Sequence, residues 1–430
     1  MQSILEIVPS HELARTWASR KTILMRMTSK RIREAIDKAK LPTSVSLIWP
    51  KYRNNIIKIN IIFISLNITN LKITYFDFES DFDFDCDESI EYEHEKVVKI
   101  VEEVEVDNEE SIEYNESIEY EEDKLLILSD MFSLNKGLTE LNLEDSELKN
   151  NSLKFFKEAF PKLQNLSKLN LKCNNFSWSL EFIEVLMMLP KLVCLNLNFN
   201  ENFNEKSNMY SKNIQLLSDQ ILHLEELSLN GCYITDGSYD ILKFIEICPG
   251  LVRLNLENNG LNDEWIKKLS EALSQCSNLA YLNLSSYCIS SQEDGNCISA
   301  EGTIYIRDLL NNHKLVSLEL LSHKFGDKGL SNITNVLCSN LTNLNLANNM
   351  IGEEGATNIA NALRDAQFPN LTNLCLKCNM IEDIGASNII NTKWSSLTCL
   401  DLSYNEIIER KKLKVLQLQC PSLKKLIINL

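Results

Sequence analysis

The feature that most constrains this chain is a short leucine pattern that recurs along its C-terminal part. One copy reads LTNLNLANNMI, from Leu341 to Ile351, with leucines at positions 1, 4 and 6 and Asn349 at position 9. Successive copies begin 28, 26, 32, 27, 28, 36, 26, 30, 26 and 26 residues apart. They begin at Leu138, Leu166, Leu192, Leu224, Leu251, Leu279, Leu315, Leu341, Leu371, Leu397 and Leu423. Repetition at this interval predicts a stack of similar structural units.

The spacing within one copy predicts a short strand followed by a helix. In LxxLxL the last two leucines lie two residues apart, so they point to one side of a strand and the residue between them points to the other. Between the strands, apolar residues follow the i, i+3, i+4, i+7 spacing of a helix, as in Ile241, Phe244, Ile245 and Cys248. One unit cannot bury its own leucines, whereas stacked units share a continuous core.

A column of amide side chains follows the predicted strands. A short amide both donates and accepts hydrogen bonds, so it can serve turn backbone groups that would otherwise be buried without partners. The column consists of Asn174, Asn200, Asn259, Asn349, Asn379 and Asn405, with Cys232 in the same place. We therefore predict hydrogen-bonded turns stacked along the repeats.

The pattern LxxLxLxxN/CxL resembles the signature of the leucine-rich-repeat family. Units of 26 to 30 residues with a glycine after the turn, at Gly237, Gly326, Gly352 and Gly385, resemble its ribonuclease-inhibitor-like subclass. The resemblance covers residues 124–430 as about eleven repeats. It implies an α/β fold, a solenoid in the form of a curved horseshoe with parallel strands inside and helices outside.

Residues 1–50 are predicted to form a small α-helical segment. Helical runs are expected over about Ser10 to Arg20 and Lys21 to Lys40, and Pro42 closes the second run. The words ILMRMTSKRIREAID and LPTSVSL resemble the later half of an F-box. That resemblance implies binding of a Skp-type adaptor and a role as a ubiquitin ligase adaptor that delivers a substrate. A helical cap over the first repeat is the alternative interpretation.

Residues 51–76 are predicted to be rich in strands. Ile68, Leu71, Ile73 and Phe76 fit the repeat template, so this segment is interpreted as a degenerate first repeat. It precedes the first complete copy of the pattern.

The net negative charge of the chain is concentrated in residues 77–123. They contain 22 acidic and 2 basic residues, whereas the whole chain has a net charge of −17. The word ESIEY occurs three times in this tract. Such dense like charge predicts a solvated, low-complexity linker or insertion. The functional alternative is an acidic bait for basic partners.

The cysteines are interpreted as structural. Cys248, Cys276, Cys338 and Cys420 each precede the opening leucine of a repeat by three residues, where other repeats carry large apolar side chains. A CxxC pair at Cys375 and Cys378 lies within the spelling of a repeat, and no second pair follows that would complete a zinc site. We expect these cysteines to be small buried hydrophobic residues rather than metal ligands.

The compartment is expected to be the cytoplasm or nucleus. The first residues show no basic region before an apolar run, as a secretory signal would, and no apolar stretch is long enough to span a membrane. The chain ends at Leu430, part way through a repeat. Such an end predicts either a truncated sequence or end-to-end self-association through an uncapped edge.

No pattern of catalytic residues occurs in the sequence. The glycines form no phosphate-binding loop and the five histidines form no metal-binding motif, so neither an enzyme nor a cofactor site is predicted. The strand residues that face away from the core are polar and mixed in charge, which suits a protein partner better than nucleic acid. The candidate binding residues on this concave face are Asn142, Lys168, Asn170, Asn196, Glu226, Arg253, Asn255, Tyr281, Asn283, Glu319, Asn343, Asn345, Lys377, Asp401 and Tyr404.

Three functional interpretations remain open. The first is a non-enzymatic module that binds a protein on its concave face, with or without the ubiquitin ligase role. The second follows from a resemblance to leucine-rich-repeat activators of the small GTPase Ran, which combine such repeats with an acidic tract. The third is a free-standing inhibitor or sensor. The repeat that begins at Leu279 carries extra chain at Ser290 to Gly302, which is expected to form a loop beside the ligand.

Overall fold

A computed structural model describes most of the repeat region in full. Side chains are described for residues 137–146, 148–200, 222–234, 240–286, 295–392, 396–418 and 420–429. Before residue 137 only the backbone of four strands is described, namely β1 (Ile23–Leu24), β2 (Ser44–Pro50), β3 (Ile59–Asn60) and β4 (Asn70–Phe76). The chain divides into two compact units, Met1–Asn174 with Glu184–Leu192 as unit 1, and Asn175–Ile183 with Val193–Leu430 as unit 2.

Unit 2 is built on parallel three-residue strands, one from each repeat. Neighbouring strands pair in register, so that Leu344 lies between Leu318 and Leu374 of the strands on either side. The strands are β7 (Cys194–Asn196), β8 (Glu226–Ser228), β9 (Arg253–Asn255), β10 (Tyr281–Asn283), β11 (Ser317–Glu319), β12 (Asn343–Asn345), β13 (Asn373–Cys375), β14 (Cys399–Asp401) and β15 (Lys425–Ile427). The predicted strand of each repeat is therefore present in this unit.

Unit 1 contains strands of the same kind. β5 (Glu140–Asn142) pairs in parallel with β6 (Lys168–Asn170) on one side and with β4 on the other, where Leu71 lies opposite Leu141. The segment interpreted as a degenerate first repeat thus supplies a strand in the register of a repeat. β2 pairs in parallel with β4, and β1 pairs with β3.

Within residues 1–50 the structure describes two strands, and only the first lies in a predicted helical run, Lys21 to Lys40, where the helical prediction was wrong. Ile23–Leu24 and Ser44–Pro50 are strands, and the second of these extends the parallel strands of unit 1. The alternation of apolar and polar residues in SVSLIW is a strand pattern that the comparison with an F-box obscured. The remainder of residues 1–50 and the acidic tract 77–123 lie outside the described residues.

Helices alternate with the strands. They are α1 (Leu153–Ala159), α2 (Leu180–Met187), α3 (Asp240–Glu246), α4 (Asp263–Ala272), α5 (Thr303–Asn312), α6 (Gly326–Thr334), α7 (Glu353–Arg364), α8 (Asp383–Asn391) and α9 (Arg410–Gln417). The helical stripes expected from the sequence are buried, as Ile359 and Leu363 of α7 show. Close packing of successive helices explains one glycine, because a Cβ at Gly385 would lie 2.8 Å from the Cβ of Ala356. Across the described chain, no helix is long and apolar enough to cross a membrane.

The core consists of the repeated leucines and the apolar faces of the helices. Leu341, Leu344 and Leu346 of one copy are 0%, 4% and 0% exposed. Aromatic residues fill the wider spaces, including the fully buried Trp265. Cys248, Cys276 and Cys338 are buried as predicted, whereas Cys375 and Cys420 are only partly buried and Cys378 is exposed. The stack therefore forms one continuous apolar layer within each unit.

The predicted amide column forms a ladder of hydrogen bonds. Asn379 Oδ1 accepts hydrogen bonds from the N–H groups of Asn349 and Ile351 at 2.9 and 3.0 Å, which belong to the preceding turn. Its Nδ2 donates to three carbonyl oxygens at 3.0, 3.0 and 3.3 Å. Because every rung joins two repeats, the ladder ties neighbouring turns together as the strands do.

Two rungs of the ladder differ from the prediction. In the longest repeat the rung is Asn296, whose Oδ1 accepts from Asn259 N at 2.9 Å. Because Asn296 forms the turn, the extra chain lies before it and does not extend to Gly302 as predicted. In the next repeat the rung is His323, whose Nδ1 accepts from Ile298 N at 3.3 Å.

A second column of hydrogen bonds, which the sequence analysis did not identify, links the helix starts to the following repeat. Asp327 Oδ1 accepts from Gly352 N at 2.8 Å, and Asp383 Oδ1 accepts from Ile408 N at 3.0 Å. A carboxylate is favoured at a helix N-terminus by the helix dipole, so these aspartates serve their own helix and the next turn.

Candidate protein-binding face

The predicted binding residues lie on the open face of the strands or in the turns that follow them. In β9 the central Leu254 is 2% exposed, while Arg253 and Asn255 flank it on the open side. In unit 1 this face carries Asn142, Lys168 and Asn170. In unit 2 it carries Asn196, Glu226, Arg253, Asn255, Tyr281, Asn283, Glu319, Asn343, Asn345 and Asp401, and the turns after β13 and β14 carry Lys377 and Tyr404. We call this surface the strand face.

The strand face of unit 1 consists of side chains that pair with one another. Lys168 Nζ lies 2.8 Å from Glu140 Oε1, and Asn170 Nδ2 donates to Glu144 Oε2 at 3.2 Å. Lys172 Nζ lies 2.7 Å from Glu144 Oε1, and that hydrogen bond raises the pKa of Lys172. These contacts pair the charges of Lys168 and Lys172 with those of Glu140 and Glu144.

The third residue of most strands also has a structural role that the sequence analysis did not assign. Asn255 Oδ1 accepts a hydrogen bond from the N–H of Glu257 at 3.0 Å, and Asp401 Oδ1 accepts one from Ser403 at 2.9 Å. The same bond to the residue two positions later is made by Asn142, Asn170, Asn196, Asn283 and Asn345. A side chain that bonds its own backbone in this way shapes a turn. One oxygen of each is thus engaged before any partner binds.

An open groove of about 400 Å³ crosses β7 to β11 on the strand face of unit 2. The guanidinium carbon of Arg253 lies 3.5 Å from the centroid of the Tyr281 ring, and Arg253 Nε lies 3.3 Å from Glu226 Oε1. Cys194 Sγ lies 3.6 Å from the other oxygen of that carboxylate. Stacking on an aromatic ring orients the flat guanidinium group, so the charged and aromatic groups of the groove are held together before a partner arrives.

Carboxylates accompany this stack. Glu319 lines the groove and its Oε1 accepts from Ser317 Oγ at 3.3 Å. Glu257 is mostly buried and its Oε2 accepts from Asn230 at 3.3 Å and from Asn283 at 3.0 Å. The groove therefore combines the carboxylates of Glu226 and Glu319 with one guanidinium and one aromatic ring, and Glu257 lies beneath it, bonded to the groove residue Asn283.

Sequence reasoning missed Glu257, although a signal for it exists. It stands six residues after Leu251, the same place that Lys377 holds after Leu371. Aligning the repeats would have added this carboxylate to the candidate residues.

A second group of candidate residues lies around β12 to β14. Lys377 Nζ lies 5.1 Å from the centroid of the Tyr404 ring, and Asn343 Oδ1 accepts from Asn373 Nδ2 at 2.8 Å. Tyr404 is 55% exposed. The candidates of unit 2 thus fall into two groups. The group in the groove contains the stacked arginine and tyrosine together with carboxylates.

The thiols and histidines contribute to packing. Burial raises the pKa of Cys276 to about 11 and that of Cys338 to about 12, so both thiols are protonated and poor nucleophiles at neutral pH. His313 Nδ1 lies 3.2 Å from the carbonyl oxygen of Cys276, and burial lowers its pKa. No group of three histidine, cysteine or acidic side chains that could hold a metal ion occurs within the described ranges.

Parallel three-residue strands, alternating helices and an asparagine ladder define the class of this molecule. It is a leucine-rich-repeat solenoid of the α/β class. No protein-family model matches the chain.

The names of the proteins that match in sequence also mention leucine-rich repeats (LRR). The chain is 28% identical over 218 residues to human NACHT, LRR and PYD domains-containing protein 14, an alignment covering 48% of this chain and 18% of that protein. It is 29% identical over 228 residues to the mouse protein of the same name, covering 50% and 21%. Mouse NACHT, LRR and PYD domains-containing protein 9C is 27% identical over 221 residues, covering 44% and 21%. The chain thus spans about a fifth of the length of these relatives.

Two solved structures are also similar. An internalin from Listeria monocytogenes matches with a TM-score of 0.42 and 20% identity, over 68% of this chain and 81% of the other. The yeast Rad7 and Elc1 complex matches with a TM-score of 0.38 and 18% identity, over 71% and 82%.

Proposed function

We propose that this protein is a non-enzymatic interaction module, and that the groove across β7 to β11 binds a protein partner. The observation that supports this most is the stack of Arg253 on Tyr281 beside Glu226, open to solvent in a groove. Arginine and tyrosine are the residue types that contribute most to binding at protein interfaces. Their fixed positions reduce the entropy that binding would otherwise cost.

A protein is a better match to this groove than a nucleic acid. A surface that follows a phosphate backbone needs a row of lysines and arginines. Here one guanidinium, paired with Glu226, shares the groove with the carboxylate of Glu319 and with the amides of Asn196, Asn255 and Asn283. This mixture fits a polar, hydrated protein interface.

The test is quantitative affinity capture with the full chain as bait. We expect Arg253→Ala and Tyr281→Ala each to lose a partner that the unmodified chain retains, because each removes half of the stack. Asn373→Ala is the matched control, since Asn373 lies on the same face outside the groove and is exposed. A partner set unchanged by both groove substitutions would contradict the proposal.

We further propose that residues 1–50 bind a Skp-type adaptor, so that the groove presents its partner to a ubiquitin ligase in the cytoplasm or nucleus. The words ILMRMTSKRIREAID, from Ile23 to Asp37, support this proposal. Purified adaptor should be retained by the full chain and released when Ile32 and Ile36 are both changed to Asp. No retention by the unmodified chain would remove the ligase role and leave the groove proposal in place.

A further inference from the structure

A second surface of unit 2 exposes apolar side chains where the turns lead into α7, α8 and α9. Met350 is 49% exposed, Met380 42%, Ile384 60% and Ile408 88%. We call these four residues the apolar edge. Large apolar groups that lie together in water often mark a binding surface.

The apolar edge is continuous across three successive repeats. Met380 N donates to the carbonyl oxygen of Ile351 at 2.8 Å, which joins the turn of Met380 to that of Met350. Ile408 N donates to Asp383 Oδ1 at 3.0 Å, which places the backbone of Ile408 against the start of α8, the helix that carries Ile384. Met350, Met380 and Ile408 therefore belong to the turns of three successive repeats, and Ile384 lies at the start of α8.

The fold does not require apolar residues at these places. The residue after the ladder rung is Met350 or Met380 here, but it is Lys324 in the preceding repeat. The residue after the aspartate at the helix start is Ile384 here, but it is Glu264 in α4 and Lys328 in α6. Neighbouring repeats thus keep polar residues where the apolar edge has methionine and isoleucine, so its composition reflects something other than folding.

Acidic residues border the apolar edge. Residues 350–354, 380–384 and 404–409 contain six acidic and no basic residues. Glu354, Glu382 and Glu406 are exposed. Two lysines lie close by: Lys377 Nζ lies 5.1 Å from the centroid of the Tyr404 ring, and Lys412 Nζ on α9 lies 2.7 Å from Glu409 Oε2. The complementary surface is therefore an apolar strip with positive charge along its sides.

We propose that the apolar edge binds an amphipathic helix of a partner protein, with lysines or arginines flanking the apolar face of that helix. Three turns at the usual interstrand spacing extend over about 10 Å. The i, i+3, i+4, i+7 positions of a helix extend over a similar length of about 10 Å. This site is distinct from the groove and does not depend on it.

The test uses the full chain and a labelled synthetic helix. The probe carries leucines at i, i+3, i+4 and i+7 and lysines at the flanking positions, and fluorescence anisotropy measures its binding. One control peptide replaces every lysine by glutamate, and a second replaces every leucine by serine. We expect the first peptide to bind, with an affinity that falls as salt rises, and each control to bind at least about tenfold more weakly.

The matched protein variant is Met380→Lys with Ile384→Lys. Both replacements copy residues found at the same places in the repeat of Lys324 and Lys328, so the melting temperature should be unchanged. The affinity for the first peptide should fall at least about tenfold. Arg253→Ala, in the groove, should leave that affinity unchanged.

Three results would overturn the proposal. The first is equal binding of the serine peptide, which would reduce the effect to charge attraction. The second is undiminished binding by the double variant. The third is a change from dimer to monomer in sedimentation when the double variant is made, which would assign the apolar edge to a second copy of this chain.

Discussion

At the scale of single residues, one side chain in each turn supplies hydrogen-bond partners to several backbone groups. Asn379 makes five hydrogen bonds with buried backbone groups of two repeats. A backbone group left buried without a partner costs about 1–3 kcal/mol. Each rung side chain should therefore contribute more to the free energy of unfolding than its buried area alone would give. The strand-face asparagines are partly exposed, so replacing one of them should lower the stability less.

We predict that Asn379→Ala lowers the free energy of unfolding by about 2–4 kcal/mol, because backbone groups in two turns lose their partners. Urea unfolding followed by circular dichroism gives the value. The control is Asn373→Ala, an exposed asparagine whose amide reaches only Asn343 and Thr372. Equal effects of the two substitutions would mean that the ladder does not stabilise the turns.

His323 makes the stability of the repeats depend on pH. It is fully buried, and burial lowers its pKa from 6.5 to about 4, against a smaller opposing effect of the carbonyl oxygens of Leu284 and Asn296. In the unfolded chain the ring takes up a proton near pH 6.5, so protonation favours unfolding. The contribution at neutral pH is therefore lost progressively as the pH falls from about 6.5 to about 4.

We predict that the chain loses about 3 kcal/mol through His323 over that interval. His323→Asn should remove this part of the pH dependence and stay folded, because asparagine forms the rung in neighbouring repeats. Thermal melting at pH 7.5 and pH 5 measures the difference. His313, whose pKa burial also lowers, is present in both proteins and contributes equally to both pH profiles. Identical pH profiles would contradict this role of His323.

How far the sequence predicts the turns differs from rung to rung. The amides that follow their leucine by eight residues were visible, as with Asn349 and Asn379. Asn296 was missed because extra residues shift it to 17 places after Leu279. His323 kept the spacing but not the amide chemistry. The spacing of a residue can be read from the sequence. Which residue forms the rung of the turn depends on how the chain packs.

At the scale of elements, the leucine pattern was sufficient to place the strands. Alternation fixes which side is buried, and the repeat length fixes the register of neighbouring strands. The stack of Arg253 on Tyr281 also follows from register, since both stand two residues after the opening leucine of successive repeats. The distance between the two side chains could not be predicted from the sequence, because it depends on rotamers set by Glu226 and the groove.

We predict that Leu374→Ala destabilises unit 2 by about 2–5 kcal/mol, because it leaves a cavity between repeats. Leu374 is 2% exposed at the centre of β13. Leu337→Ala makes the same chemical change at a side chain that is 65% exposed, and it should stay within about 0.5 kcal/mol. If the two variants melt alike, Leu374 is not part of the core.

At the scale of the whole molecule, the residues of unit 2 that hold the repeats together differ from those proposed to bind partners. The ladder, the leucines and the aspartates at the helix starts hold the repeats together, and the groove and the apolar edge offer chemistry that the stack does not need. Repeat proteins gain stability from interfaces between neighbours, so surface residues are free to differ from repeat to repeat. Departures from the pattern of the repeats, such as Ile384, are therefore the best guide to partners.

The central claim is that every repeat of unit 2 adds one strand to a single parallel row. Pulsed electron resonance can test it with encoded spin labels at Lys425 and, in turn, at Glu226, Arg253 and Tyr281, which lie seven, six and five strands away. Our account predicts a longest distance of about 30 Å that shortens by about 5 Å or less with each strand removed. Distances that do not decrease in this order, or that are spread as in an unfolded chain, would contradict it.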